Sequence, residues 1–346
     1  GNDSLNVWVG ASGANPTAIG IIESSIETGS GSDSVVVTTW TNDSTYWDPS
    51  IGLKDTDLST GEGADCVDIW SNASGTSATL EATGLIGTSA EGEAQSTLST
   101  GEDDDYVTVS ANANGNQWQW RINPDTDNWE WTVVQADQVT AVGVENYSVD
   151  LGSGNDTLSV RASASGANPS ATGIDDSSVE TGDGSDRVYV DAWTNDSTTW
   201  DPAIGVQDSN ISTSDGADWV VVSASANGTS STLEAFGLLG TSPDGETQAT
   251  LSTGADDDYV NVSANANGNR WQWLINPDTG NWEWMITQAD ESTAVGIQDY
   301  SVDLGDGYDQ LNVWSIASGA DPSATGIDKS TIETGAGSDS VEINAW

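Results

Sequence analysis

The 346-residue chain has no histidine, a single cysteine, methionine and phenylalanine, and only six basic residues against 55 acidic ones. Each scarcity excludes something. Without Lys or Arg stripes there is nothing to neutralise phosphates, which argues against nucleic acid and against anionic membrane surfaces as partners. Cys66 has no second cysteine to pair with, and the matching position one repeat later is Trp219, so neither a disulfide framework nor a cysteine-based zinc site fits. No apolar run approaches the roughly 18 residues of a membrane span, and no signal peptide opens the chain. Gly1 falls inside a turn motif and Trp346 follows directly on a strand pattern, so the chain reads as an excerpt of a longer protein.

What is present is 38 glycines, 17 tryptophans and a formal charge of −49. Such a charge strains any compact fold unless cations neutralise part of it. The sequence aligns on itself without gaps at a period of 153 residues: 1-GNDSLNV with 154-GNDTLSV, and 4-SLNVW with 310-QLNVW two periods on. Residues 1–153 form one repeat, 154–306 a second and 307–346 part of a third, an array read as one continuous body.

Within the array one turn grammar recurs, centred on Asp3, Asp33, Asp65, Asp105, Asp156, Asp186, Asp218, Asp258, Asp309 and Asp339. Seven residues before the Asp stands an apolar residue (Ile26, Leu58, Leu98, Val149 and so on), and two and four after it stand another pair, such as Val35 and Val37 or Leu311 and Val313. In several turns the parity continues into Ala111 and Ala113 or Ala162 and Ala164. A third apolar segment lies between turns, in 18-AIGI, 51-IGL, 83-TGL and 141-AVGV. This is period-two burial in three short strands per interval, too little to enclose a core alone. Stacking the intervals encloses one, which predicts an all-β, parallel β-solenoid (β-helix) with four coils per 153-residue repeat. The crossover rule makes it right-handed. Intervals of unequal length carry insertions at fixed places, 41-TNDSTYWDP, 87-GTSAEGEAQ and 115-GNQWQWRINPDTDNWEWTVV, which belong on the outside.

Stacking puts the turn aspartates in a column with neighbours about 4.8 Å apart. Carboxylates at that distance repel by roughly 1 kcal/mol in water and several times that at an effective dielectric near 20. None of the six basic residues recurs in the other repeat, so no side chain neutralises the column. A hard divalent cation fits it, because Ca²⁺ takes six to eight oxygens from carboxylates and peptide carbonyls. The motifs 29-GSGSDSV, 152-GSGNDTL, 182-GDGSDRV and 335-GAGSDSV resemble the Gly-Gly-x-Gly-x-Asp-x-apolar-x nonapeptide of the RTX calcium-binding repeats of secreted bacterial proteins. The resemblance implies calcium ligation by Asp33, Asp156, Asp186 and Asp339, and by Asp3 and Asp309 in similar turns. Asp65, Asp105, Asp218 and Asp258 occupy the same place in their turns, and Asp103 and Asp256, standing where the second glycine is expected, are candidate extra ligands. The glycine pair is never doubled and the turns lie 30 to 51 residues apart, so a larger β-helix with an RTX-like column along one corner is expected.

The segments 117-QWQWRINPDTDNWEWTVV and 270-RWQWLINPDTGNWEWMIT alternate Trp with polar residues around an Asn-Pro-Asp-Thr turn. They predict protruding β-hairpins with Trp118, Trp120, Trp129 and Trp131, and Trp271, Trp273, Trp282 and Trp284, on one face. That face either covers the solenoid flank or contacts a neighbouring subunit or sugar rings.

The expected role is structural and non-enzymatic: a calcium-stiffened, self-associating extracellular rod in a bacterial fibre, adhesin stalk or surface layer. A carbohydrate- or ice-binding module, using the Trp hairpins or the flat outer faces, is the alternative. A β-helix polysaccharide lyase or hydrolase fits less well, because the acidic turns recur where a catalytic pair should be singular.

Overall fold

A computed structural model describes the chain except residues 45–46, 77, 89–94, 124–127, 198–199, 242–247 and 276–280. The chain winds into a parallel β-solenoid with three sheets along its length. The first sheet joins ten strands, from Ser4–Ser12 and Ser34–Ser44 through Tyr106–Asn114 and Thr157–Ser165 to Gln310–Ser318 and Ser340–Ala345. The second and third sheets hold nine strands each. One coil is, for example, Thr157–Ser165 in the first sheet, Pro169–Asp175 in the second and Ser178–Glu180 in the third. Each strand pairs in parallel with its equivalents in the coils on either side, so Leu158 stands between Val107 and Val188.

The parity read from the sequence decides what faces in. Val35, Val37, Leu158, Val160, Val188 and Val190 are fully buried, and the third sheet adds Leu58, Leu98, Val149 and Val179 in one cluster beside the aspartate corner. Towards the opposite corner the core narrows to alanines, among them Ala162, Ala164 and Ala171. The glycine in each second-sheet segment lets the sheets converge. A Cβ on Gly173 would lie 2.3 Å from Val190 Cγ1, and Gly143 and Gly205 meet Val160 and Val222 at the same distance.

One interior detail separates the repeats and another unites them. In the first, Thr39, Ser50 and Ser71 are buried together: the Thr39 hydroxyl lies 2.9 Å from both Ser50 Oγ and Ser71 Oγ. One period on, the same three positions are Ala192, Ala203 and Ala224. Replacing a whole buried polar set with apolar groups is nearly neutral, whereas removing one member strands its partners. In both repeats a tyrosine braces the corner between the second and third sheets. The buried Tyr147 hydroxyl donates to the Thr56 carbonyl, and Tyr300 does the same to Ser209.

Both Trp segments form antiparallel hairpins, Asn116–Asn123 with Asn128–Gln135 and Asn269–Ile275 with Trp282–Gln288. The Asn-Pro-Asp-Thr turns lie outside the described residues, as does most of the 87–95 insertion. The eight hairpin tryptophans are 51–69% exposed, with Trp120 against Trp129 and Trp131 and Trp273 against Trp284.

Candidate metal-binding column

The ten turn aspartates form a single file, Asp3 to Asp339, joined by hydrogen bonds that no residue alphabet announces. The amide of each Asp donates to Oδ1 of the Asp in the next coil, from Asp3 on Asp33 at 2.7 Å, through Asp156 on Asp186 at 2.8 Å, to Asp309 on Asp339 at 3.3 Å. The intervening rungs span 2.7–3.0 Å and none is missing. Within the stack these side chains are at most 3% exposed, so each carboxylate sits inside its own turn.

Local geometry explains why these residues take these places. The first turn position is glycine at φ +83° in Gly182 and +91° in Gly152, a backbone region that L side chains avoid. Stacking adds a second demand, since a Cβ on Gly182 would lie 1.4 Å from the Gly152 carbonyl oxygen. Those carbonyl oxygens stand in a row between successive coils. Ser214 tolerates the site at φ +60°.

Seven residues of this corner were not signalled by the Gly-x-Gly-x-Asp reading. Thr28, Thr60, Thr100, Thr181, Thr213, Thr253 and Thr334 stand five before their aspartates, and Leu151 and Leu304 take that place in the remaining turns. Thr181 Oγ1 donates to Asp186 Oδ2 at 2.5 Å, while Thr100 and Thr253 hydroxyls donate to the carbonyls of Leu151 and Leu304. The signal was in the sequence, as Thr-Gly-x-Gly-x-Asp.

Oδ1 is thus engaged along the file, but Oδ2 of Asp65, Asp105, Asp156, Asp218, Asp258 and Asp309 is buried without a hydrogen-bond partner. A buried, unpaired anionic oxygen is costly. Burial pushes the Asp105 carboxyl up to about 6 and those of Asp156, Asp218 and Asp258 to about 7, with neighbouring carboxylates adding to the shift. Asp65, Asp186 and Asp309 move upward for the same reason. Near the first end the balance reverses: the Thr28 hydroxyl and Asp3 amide hold Asp33 below the ordinary value.

Asp103 and Asp256 do not join the file. They are exposed, and they keep the second glycine's positive φ, at +82° and +88°. Their neighbours do the stacking work on the outside: Asp104 Oδ1 accepts from the Asn155 amide at 2.8 Å and Asp257 Oδ1 from the Tyr308 amide at 3.0 Å. Asp3 and Asp339, at the two ends of the stack, are more open than the members between them.

The donor set fits a hard cation. It is all oxygen, with an unpaired carboxylate oxygen in most coils and peptide carbonyls between coils. Among the described residues no point gathers three acidic, histidine or cysteine side chains. An ion here would therefore be held by one or two carboxylates with backbone and solvent oxygens.

The other corner carries a second file that the turn grammar did not reveal. Glu23, Asp55, Asn146, Asp176, Asp208, Asp299 and Lys329 each adopt φ between +43° and +49°, and Gly87 and Gly240 occupy the equivalent place. Here the side chains face solvent or cap neighbours, as Asp55 Oδ1 does for the Thr88 amide at 2.6 Å. No protein-family model, curated protein or solved structure matches this chain.

Proposed function

We propose that the chain is a calcium-stabilised structural repeat, a rod-like element of a bacterial extracellular fibre, adhesin stalk or surface layer. The observation that carries this reading is the file of buried Oδ2 atoms, unpaired at coil after coil, in a chain that has almost no basic side chains to answer them. Calcium supplies positive charge and a flexible oxygen coordination sphere. Asp33, Asp65, Asp105, Asp156, Asp218, Asp258 and Asp309 would hold it, each keeping Oδ1 on the backbone ladder and offering Oδ2, with Asp186 among them, its Oδ2 already accepting from Thr181.

Sites of this kind, with few carboxylates apiece, fall in the weak class, of order 10⁻⁴–10⁻³ M, typical of extracellular modules. Calcium at such levels is found outside cells, which supports an exterior location. A periodic interior, with the same aspartate rung at coil after coil, supports a mechanical role over catalysis. Among the described residues, no helix is long and apolar enough to cross a membrane.

Calorimetric titration of calcium into the chelator-stripped chain tests this reading. Saturable uptake of several ions per chain, unaffected by equivalent sodium, is expected. Absence of saturable uptake at modest salt would remove the reading.

A further inference from the structure

We propose that the two tryptophan hairpins dock onto the corresponding hairpins of a second copy of this chain, interleaving with them at the spacing of the 153-residue repeat. This rests on the structural-rod reading and names its partner.

Pairing register defines the docking face. Trp120 stands opposite Trp131, Ile122 opposite Trp129 and Trp118 opposite Val133; in the second hairpin Trp273 faces Trp284, Ile275 faces Trp282 and Trp271 faces Ile286. All three pairs of the first hairpin, and Trp273–Trp284 and Trp271–Ile286 of the second, present apolar side chains to one side. Indole contacts within each face, 5.6 Å between Trp120 and Trp131 and 5.5 Å between Trp273 and Trp284, order it without covering it.

Comparing the two repeats shows which side is held constant. On the apolar face the four tryptophans and one isoleucine are unchanged, and Val133 becomes Ile286. On the opposite face Gln117 becomes Arg270, Thr132 becomes Met285 and Val134 becomes Thr287. Several outward positions of the first sheet drift as freely, Trp8 becoming Arg161, Val36 Tyr189, Cys66 Trp219 and Asp68 Val221, while Trp40 and Tyr106 recur as Trp193 and Tyr259. The apolar hairpin face is thus an outward surface that both repeats share, and what binds it meets the same chemistry twice.

Spacing identifies the occupant. Each hairpin leaves and re-enters one coil, and the strands Thr157–Ser165, Arg187–Ser197 and Trp219–Gly228 separate the coil of Tyr106–Asn114 from that of Tyr259–Asn267. Four steps of about 4.8 Å place the hairpins about 19 Å apart. Sheets pack face to face at about 10 Å, so one period holds two hairpin layers, one from each copy. A second copy carries this period by construction.

Area agrees. A tryptophan side chain can bury roughly 150–250 Å², so four of them, somewhat more than half exposed, offer about 400–600 Å² per hairpin and about 1,000 Å² per chain. One hairpin falls short of the roughly 800 Å² per partner of a stable interface, and two exceed it. Sugar stacking suits the face less well, because Ile122, Val133 and Ile286 flank the rings where a saccharide site needs polar groups. The charge of −49 opposes approach of two copies, so association should strengthen with salt as the Debye length shrinks to about 3 Å at 1 M.

Sedimentation velocity of the intact chain, in calcium and in chelator, at about 0.1 M and about 1 M sodium chloride, tests the proposal. The comparison is the variant Trp120→Ser/Trp131→Ser/Trp273→Ser/Trp284→Ser, with circular dichroism and melting temperature recorded to establish that the solenoid persists. A concentration-dependent dimer or larger assembly, stronger at high salt and weakened at least tenfold in the variant, is expected. A wild-type chain that stays monomeric up to about 100 μM at high salt, or assembly unchanged in the variant, would overturn the proposal. So would a monomeric chain whose tryptophans are needed for retention on a glycan resin. The melting temperature separates the two readings: insensitivity to chelator removes the calcium file alone, and lost assembly with an intact chelator response removes hairpin docking alone.

Discussion

The Asp105 amide donates to Oδ1 of Asp156, fifty-one residues away in sequence and one coil away in space, at 2.7 Å, and Asp156 Oδ2 has no hydrogen-bond partner. The contact assigns two tasks to one carboxylate. Oδ1 holds consecutive coils in register through the backbone, and Oδ2 is left buried with a charge to be answered. A solvated Asp/Gly turn would do neither, because its carboxylate would point to water.

Substituting one member of the file separates the tasks. Asp156→Ala removes the acceptor from the Asp105 amide, which is buried, and should cost about 1–3 kcal/mol in both calcium and chelator. Asp156→Asn keeps an acceptor and removes the charge. It should melt higher than wild type in chelator and gain less from calcium, so the two variants should move in opposite directions in metal-free buffer. Equal destabilisation by both would contradict the division of labour.

The pH dependence in chelator has a definite sign. The ordinary aspartate value is 3.8, and in the fold Asp105 stands at about 6 and Asp156, Asp218 and Asp258 at about 7. The folded state binds these protons more tightly than the unfolded chain, so their contribution to stability is complete below pH 3.8 and is lost as pH rises through about 7. Urea midpoints measured in chelator should fall from pH 4 to pH 7.5, and calcium should flatten the curve. Midpoints that rise over the same window would mean that the file is stabilised as bare carboxylates.

The buried hydroxyl trio of the first repeat offers a test independent of metal. Thr39→Ala alone takes one partner from Ser50 and from Ser71, which still bond each other, and should lower stability by about 1 kcal/mol, whereas Thr39→Ala/Ser50→Ala/Ser71→Ala reproduces what the second repeat already contains. The triple variant should therefore be more stable than the single. Additive losses in chemical denaturation would show that the two repeats pack differently at this site.

Much of the fold was legible because its burial is periodic in two registers, along each strand and from coil to coil. Ile26, Leu58 and Leu98 align in the third sheet, and Val35, Val67 and Val107 in the first, as the turn grammar implies. The hairpin register was legible from alternation alone. The glycine row facing Val160, Val190 and Val222 was not, since a glycine inside an apolar segment does not say that another sheet approaches it. Nor was the Oδ1 ladder, because composition names a carboxylate without saying which way each oxygen points. Asp103 and Asp256 illustrate the limit: adjacency to the motif suggested ligands, but a positive φ turns their side chains to solvent. The exposed Trp face reverses the intuition that large aromatics are covered within their own chain.

The most direct measurement is thermal unfolding of the intact chain at about 0.1 M salt, in chelator and again after calcium is restored in excess. The account predicts a melting temperature that drops when divalent ions are removed, and that returns with calcium but not with sodium at matched ionic strength. An identical melting temperature in both conditions would contradict it.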